Sequence, residues 1–431
     1  MATTWKNWAG NQTARPLSIS RPRSVGEVAS IVSQAALLGE TVKVVGSGHS
    51  FTGAAATNGR LLRIDALSGI RSIDREKLQV TVGAGTTLNT LNRLLAAEGL
   101  AMANLGDIAY QTVAGAISTS THGTGTELTG LAAQVVALTL VTASGEIISC
   151  SLTEHPHIFE MARVSVGALG VVVECTIQAV PAFRLRASEA PFTLDSLLPQ
   201  IHELAHEHDH FEFFWIPHTR WALTKRNNRT DDPLDPLPPI RGWIGKTFME
   251  NYAFGALCKV GKLRPSLIPR LATALPSSGS REYVNDSYKI FASPRLVKFY
   301  EMEYAIPAAS VVPALQELRA MIERKGYLLN FPVEVRFTKQ DDVPLSTSYG
   351  RDSAYIAVHV YKGMEKEPFF HDVESIMKTY EGRPHWGKMH YQTAQELRVL
   401  YPRFDDFIDV RNQIDPHRVF ANDYTRQVFG E

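Results

Sequence analysis

Cysteine is nearly missing from this chain. Its 431 residues hold three, Cys150, Cys175 and Cys258, far apart and never in a Cys-x-x-Cys pair. That scarcity argues against a disulfide framework or a cysteine zinc site and favours a reducing compartment. An excess of charge of either sign is missing too. Lys+Arg and Asp+Glu both number 44, so the net charge is zero, and no Lys/Arg run stands out. No long-range field is available to gather nucleic acid or coat an anionic membrane. No uninterrupted apolar stretch is long enough to span a bilayer. The opening Met1-Ala2-Thr3-Thr4-Trp5 lacks the charged-then-apolar layout of a signal peptide. The expectation is a cytoplasmic protein, or one peripheral to a membrane, with no nucleic-acid partner and no integral membrane segment. What is present is the balance of a globular chain, 44% hydrophobic and 20% charged, at a length that suggests two or three lobes.

Periodicity separates two halves. In the first, 27–38 reads as a helix with Val28, Ile31, Val32, Ala35 and Ala36 on one stripe. Short strands at 41–45 and 78–82 each end at a glycine-rich turn, and 87–95 reads as a helix. Strands 135–141 and 146–150 flank Thr142-Ala143-Ser144-Gly145, a hairpin signal. Strand 171–179 follows Gly167-Ala168-Leu169-Gly170. In the second half, 227–242 is rich in Asn, Asp and Pro and reads as a long exposed loop. Beyond it strands at 299–306, 333–337 and 355–361 alternate with helices at 310–324 and 368–380. No internal repeat is found. The pattern is α+β, with a glycine-rich first lobe and a second lobe built on a sheet with helices.

Three segments, 46–50, 83–87 and 114–125, combine glycine with small hydroxyl residues just after a strand. Glycine lets a backbone approach a ligand closely, and successive N–H groups form an anion-binding nest. One such loop is an ordinary turn; three in one lobe point to a large phosphate-bearing ligand. A dinucleotide fingerprint of the G-x-G-x-x-G kind is not the answer. Phe51 stands where the third glycine belongs after Gly46-Ser47-Gly48, and Leu88 after Gly83-Ala84-Gly85. His49 has two readings: a polar residue steadying its turn, or a neutral imidazole able to attack an electrophilic cofactor carbon.

Val45-Gly46-Ser47-Gly48-His49-Ser50, together with the run from Ala114-Gly115-Ala116 to Thr124-Gly125, resembles the FAD-binding lobe of the vanillyl-alcohol-oxidase superfamily. Within it the chain is most similar to the aldonolactone oxidases and dehydrogenases, with alditol oxidase more distant. The likeness runs from Trp8-Ala9-Gly10 to Asn422-Asp423-Tyr424. It implies a two-lobed fold: an FAD-binding domain over 1–180, a mixed-sheet substrate domain over 181–400, and a segment 401–431 returning to the first. It also implies FAD as cofactor, contacted by Val45, Gly46, Ser47, Gly48, His49 and Ser50 at the pyrophosphate. Gly106, Asp107, Ala114, Gly115, Ser118, Ser120, Thr121, His122, Gly123, Gly170, Val171, Val172 and Asn422 would line the rest. His49 stands where many members join the flavin covalently.

Val333-Glu334-Val335-Arg336-Phe337 alternates, placing Glu334 and Arg336 on one face of a strand. From sequence alone that pair is equally a solvated edge. Strand 355–361 puts Ala357, His359 and Tyr361 on one face, and Pro384-His385-Trp386-Gly387-Lys388-Met389-His390 is dense in polar and aromatic groups. By the resemblance these segments meet over the flavin, making Glu334, Arg336, His359 and Lys388 the catalytic set, with His359 or Lys388 as base. The reaction implied is hydride removal from a hydroxyl carbon of an aldono-1,4-lactone in the L-gulono, L-galactono or D-arabinono series. That reaction leads to an ascorbate-type product. The acceptor is O2 or a cytochrome- or quinone-type carrier. Open-chain alditols are the alternative substrates. His202-Glu203-Leu204-Ala205-His206 fits H-E-x-x-H and offers a competing zinc-hydrolase reading, although strand-like 211–216 cuts such a helix short. No metal is expected. A flavin-free carbohydrate-binding protein is the third reading.

Overall fold

The structure is a computed structural model describing residues 4–238, 252–273, 280–292 and 296–431. The N-terminal hairpin pairs β1 (Trp5–Lys6) with β2 (Thr13–Ala14). Next come β3 (Ser18–Ser20), β4 (Val42–Val45) and β5 (Arg60–Arg63), a parallel sheet ordered β3-β5-β4. The helix Val25–Leu37 that links β3 to β4 starts where the Ser24 hydroxyl accepts from the Glu27 N–H, a normal N-cap. Its buried stripe Val28, Val32 and Ala35 follows the 3.6-residue period.

A five-stranded antiparallel sheet follows. Its strands are β6 (Ile70–Asp74), β7 (Gln79–Gly83), β9 (Val135–Val141), β10 (Ile147–Ser151) and β11 (Val171–Gln178), ordered β10-β9-β11-β7-β6. The expected hairpin at 135–150 is there, Ile147 facing Val141. The short pair β8 (Leu100–Ala101) and β12 (Val180–Pro181) closes this block. One core joins both sheets, and Trp386, Phe404, Phe407, Tyr424 and Phe429 pack into it from the far end of the chain.

The second lobe is an eight-stranded sheet. It comprises β13 (Arg184–Thr193), β14 (His210–Trp215), β15 (Trp221–Thr230), β16 (Arg281–Asp286), β17 (Phe299–Pro307), β18 (Val333–Thr338), β19 (Ser353–Tyr361) and β20 (Arg383–Pro384). Their order is β16-β13-β15-β14-β18-β19-β17-β20. Every pairing described within it is antiparallel, so the mixed sheet expected here is corrected; the parallel pairs lie in the first lobe. The helices Val311–Lys325 and Glu367–Thr379 cover one face, burying Leu315, Leu318, Phe370 and Val373 against Val335, Phe337, Ile356 and Val358. Side chains alternate across a strand, so the intervening residues face the other way, toward the first lobe.

The loop expected at 227–242 is corrected in part. Residues 227–230 extend β15 in register with β13, and Asp235 bridges to Val284. Cross-strand hydrogen bonding overrides the loop-like composition there, and residues 239–242 lie outside those described. No helix among the described residues is long and apolar enough to cross a membrane.

Candidate active site

Strand β4 runs straight into Gly46-Ser47-Gly48-His49-Ser50. Gly48 has φ +67°, a conformation that favours glycine. Gly46 is required by space: a Cβ there would fall 2.1 Å from Thr112 Oγ1. Thr112 in turn caps the helix Val113–Ser118, its hydroxyl accepting from the Gly115 N–H at 3.3 Å. A cleft opens between these turns. Val45, Gly46, Ser47, Gly48, His49, Ser50, Ala114, Gly115, Ser118, Gly170 and Val172 line it, all of them expected cofactor residues. Val171 sits buried on β11 beside them.

The other expected cofactor residues lie elsewhere. The Ser120 hydroxyl meets Thr347, and Thr121 Oγ1 accepts from Gln111. Gly123 packs where a Cβ would sit 2.3 Å from Asn104 Oδ1, and Gly106 packs against the His122 carbonyl. His122 and Asp107 reach the sheet of the second lobe. Asn422 caps the helix Asp423–Phe429 and ties down the carbonyls of Gly53 and Ala56, both at 2.8 Å.

Sequence reasoning missed Lys43 in the same cleft. Its ammonium is buried and donates to the Phe420 carbonyl at 3.2 Å, with the Val166 and Gly167 carbonyls at 3.5 and 3.4 Å. Burial, with the repulsion of Arg411, brings it down to about 7. The period-2 pattern of β4 hid it among valines. Main-chain N–H groups beside glycines at 46, 48 and 115 make a donor set that fits a phosphate-bearing cofactor, with Lys43 bracing the cleft from behind through its three carbonyl partners. His49 stacks on Trp8 with ring centres 5.6 Å apart. Burial, then the Lys388 charge, lowers it to about 4, so its imidazole is neutral at pH 7.

The expected catalytic residues converge on the uncovered face of the large sheet. Glu334 and Arg336 lie on β18, both buried. Arg336 Nε donates to Glu212 Oε2 at 2.7 Å, while Nη2 meets Asp107 and Glu334. Burial opposes the guanidinium charge, but Asp107, Glu334 and Glu212 outweigh it and hold Arg336 protonated. Burial, reinforced by Asp107 and Glu212 and opposed by Arg336, raises Glu334 to about 7.

His359 Nδ1 lies 3.0 Å from the Pro332 carbonyl, and Nε2 lies 3.5 Å from Glu301. Facing an acceptor at each nitrogen, the ring is raised in spite of its burial. Lys388 lies 2.5 Å from Glu301 and 3.9 Å from Glu303, and the two carboxylates raise it against burial. Burial alone would lift Glu301, yet Lys388 and His359 hold it down to about 2. His122 Nε2 lies 3.1 Å from Glu303 and completes a chain His359–Glu301–Lys388–Glu303–His122. Glu301 and Glu303 went unread, although Phe299-Tyr300-Glu301-Met302-Glu303 shows the same two-residue spacing as Glu334 and Arg336.

The competing zinc motif is not assembled. His202, Glu203 and His206 are exposed on the seven-residue helix Ile201–Glu207. His208 pairs with Asn228, and His210 with the Thr124 carbonyl. Among the described residues the His/Cys/Asp/Glu set whose ligand atoms converge is His122, Glu303 and His385, of which His122 and Glu303 belong to the buried chain above.

Comparison with known proteins gives the family of the chain and its fold. A family model for D-arabinono-1,4-lactone oxidase matches residues 175–428, and one for an FAD binding domain matches residues 16–151. The chain is 44% identical over 431 residues, covering all of both chains, to the L-gulono-1,4-lactone dehydrogenase of Mycobacterium tuberculosis. It is 35% identical to the L-gulonolactone oxidase of Scyliorhinus torazame, covering 100% of this chain and 99% of that one. Among solved structures, the cholesterol oxidase from B. sterolicum superposes with a TM-score of 0.84 at 18% identity, over 99% of this chain and 96% of that one. That last likeness concerns the fold.

Proposed function

From a chain that belongs to the D-arabinono-1,4-lactone oxidase family and carries its FAD-binding domain, we propose FAD-dependent oxidation of an aldono-1,4-lactone, with L-gulono-1,4-lactone as substrate and a carrier other than oxygen as electron acceptor. The choice of lactone and acceptor follows the dehydrogenase to which the chain is similar end to end. The observation that carries the reading is the buried charged face. Glu301, Glu303, Glu334, Arg336, His359 and Lys388 crowd the sheet surface turned toward the cofactor lobe, a surface suited to a polyhydroxylated ring and not to an apolar one.

FAD, when bound, supplies the hydride acceptor at N5. The residues at 45–50 would hold its phosphates, and His49, neutral and lining the cleft, is the side chain that would carry a covalent link. Arg336 is a fixed cation that binds a substrate oxygen and steadies negative charge as it develops. Lys388, clamped between two carboxylates, donates to a second oxygen. His359 and Lys388, the bases considered from sequence, are already committed as donors. Glu334, poised near neutrality, is the group left to take the hydroxyl proton. Three free, buried cysteines, Cys150, Cys175 and Cys258, agree with the cytoplasmic setting expected for the chain.

The test is anaerobic mixing of the purified yellow protein with L-gulono-1,4-lactone while the visible flavin band is recorded. Bleaching that persists after air is admitted, with colour retained in an acid-precipitated pellet, is the expected result. Bleaching that reverses rapidly in air rejects the acceptor, a colourless pellet rejects the covalent link, and no bleaching by any aldonolactone rejects the substrate class.

A further inference from the structure

Five charged residues cross the large sheet in one register. The pairings are Arg281 of β16 with Glu189 of β13, Glu189 with Lys225 of β15, Lys225 with Glu212 of β14, and Glu212 with Arg336 of β18. Directly paired residues project to the same face, so the row reads plus, minus, plus, minus, plus. It ends on the arginine of the candidate site. The contacts follow the register: Arg281 Nε to Glu189 at 2.6 Å, Lys225 Nζ to Glu212 at 3.8 Å, and Arg336 Nε to Glu212 at 2.7 Å.

A guanidinium is planar, and a carboxylate on its Nε edge fixes the direction of the remaining nitrogens. Glu212 takes that edge, which sends Nη2 toward Glu334 and Asp107. Glu212 is itself buried between two cations.

We propose that Glu212 is a positioning residue for the lactone oxidation: it acts through Arg336, whose guanidinium it orients, and, with Lys225 behind it, sets the charge balance felt by Glu334. This rests on the reading of Glu334 and Arg336 as the substrate-facing pair. The charged groups around Glu334 are Arg336 on its own strand, Asp107 from the loop before the helix Val113–Ser118, Glu212 from β14, His359 from β19 and Lys388 from the 385–390 loop. Of these, Asp107 and Glu212 push Glu334 up, while Arg336 and His359 pull it down. Removing the Glu212 charge therefore moves Glu334 toward lower pH.

The experiment compares the holoenzyme with its Glu212→Gln and Glu212→Asp variants in anaerobic reduction by L-gulono-1,4-lactone across pH. Alongside it, infrared difference spectroscopy follows the protonated Glu334 carboxyl band, assigned by its loss in Glu334→Gln. For Glu212→Gln we expect kcat to fall about 10-fold or more with KM within about twofold. The acid limb and the infrared midpoint should both move to lower pH, and Glu212→Asp should recover most of the rate. Rates within twofold of wild type with an unmoved midpoint overturn the proposal. If Glu212→Gln does not purify, Lys225→Gln removes the cation behind Glu212, and the infrared midpoint should then move up; an unmoved midpoint overturns the proposal equally. If no lactone bleaches the wild type, the substrate reading has failed, and the infrared titration alone decides the role of Glu212.

Discussion

The cofactor cleft and the charged sheet face lie side by side but are built by opposite means. The cleft is made of backbone. Its specificity lies in Gly46, Gly48 and Gly115, where the chain gives up side chains so that N–H groups and a ligand can approach. The sheet face is made of side chains. Its specificity lies in Glu301, Glu303, Glu334, Arg336, His359 and Lys388, each buried charge facing an opposite one. Shape governs the first region, so it fails by steric intrusion. Charge governs the second, so it fails by isosteric neutralisation with the fold intact.

The sharpest way to break this contrast is Gly46→Val. Any Cβ at this position meets Thr112 Oγ1 at 2.1 Å, and Thr112 cannot retreat without uncapping the helix Val113–Ser118. The variant should purify folded, with far-ultraviolet circular dichroism like wild type, yet nearly colourless, having failed to take up most of its flavin. A fully yellow Gly46→Val protein would mean that the cleft is not shape-limited.

The complementary change is Glu334→Gln, which keeps shape and removes charge. Flavin content should be normal while the reduction rate falls about 10²–10⁴-fold, the usual contribution of a general base. The sign with pH follows from the raised carboxyl. Below about 7 Glu334 is protonated and cannot accept a proton, so the wild-type rate should drop about tenfold per unit of falling pH and level off above about 7. In Glu334→Gln that limb should vanish. A limb that persists unchanged assigns the proton acceptor elsewhere. The smallest effect belongs to the double change His202→Ala/His206→Ala, on a helix outside both regions. Activity should stay within about twofold and metal content, by elemental analysis, should not change.

How much was legible in the sequence follows the same division. The glycine turns were readable because backbone demands are local: a strand followed by Gly-Ser-Gly-His-Ser states its own geometry. Glu334 and Arg336 were placed on one face by a five-residue alternation. Their partners were not readable, since Arg336 meets Glu212 and Asp107 across 124 and 229 residues of chain. Those meetings depend on strand order, which periodicity does not encode. The surroundings of His359 and Lys388 were unreadable for the same reason: Glu301 and Glu303, which face them, arrive from another strand. At 227–230, Asn-rich composition spoke for a loop while pairing with β13 made a strand.

The lobe that cradles the cofactor also borrows from the end of the chain. Val42 of β4 donates its N–H to the Val419 carbonyl at 2.7 Å, Lys43 reaches Phe420, and Phe404, Phe407 and Phe429 complete the first core. In ribosomal synthesis, then, β4 and its glycine turn emerge well before the partners at 419–420 that fix them. A chain lacking the 404–429 segment leaves β4 without these contacts and exposes the apolar core they close, the kind of surface that makes incomplete chains prone to aggregate.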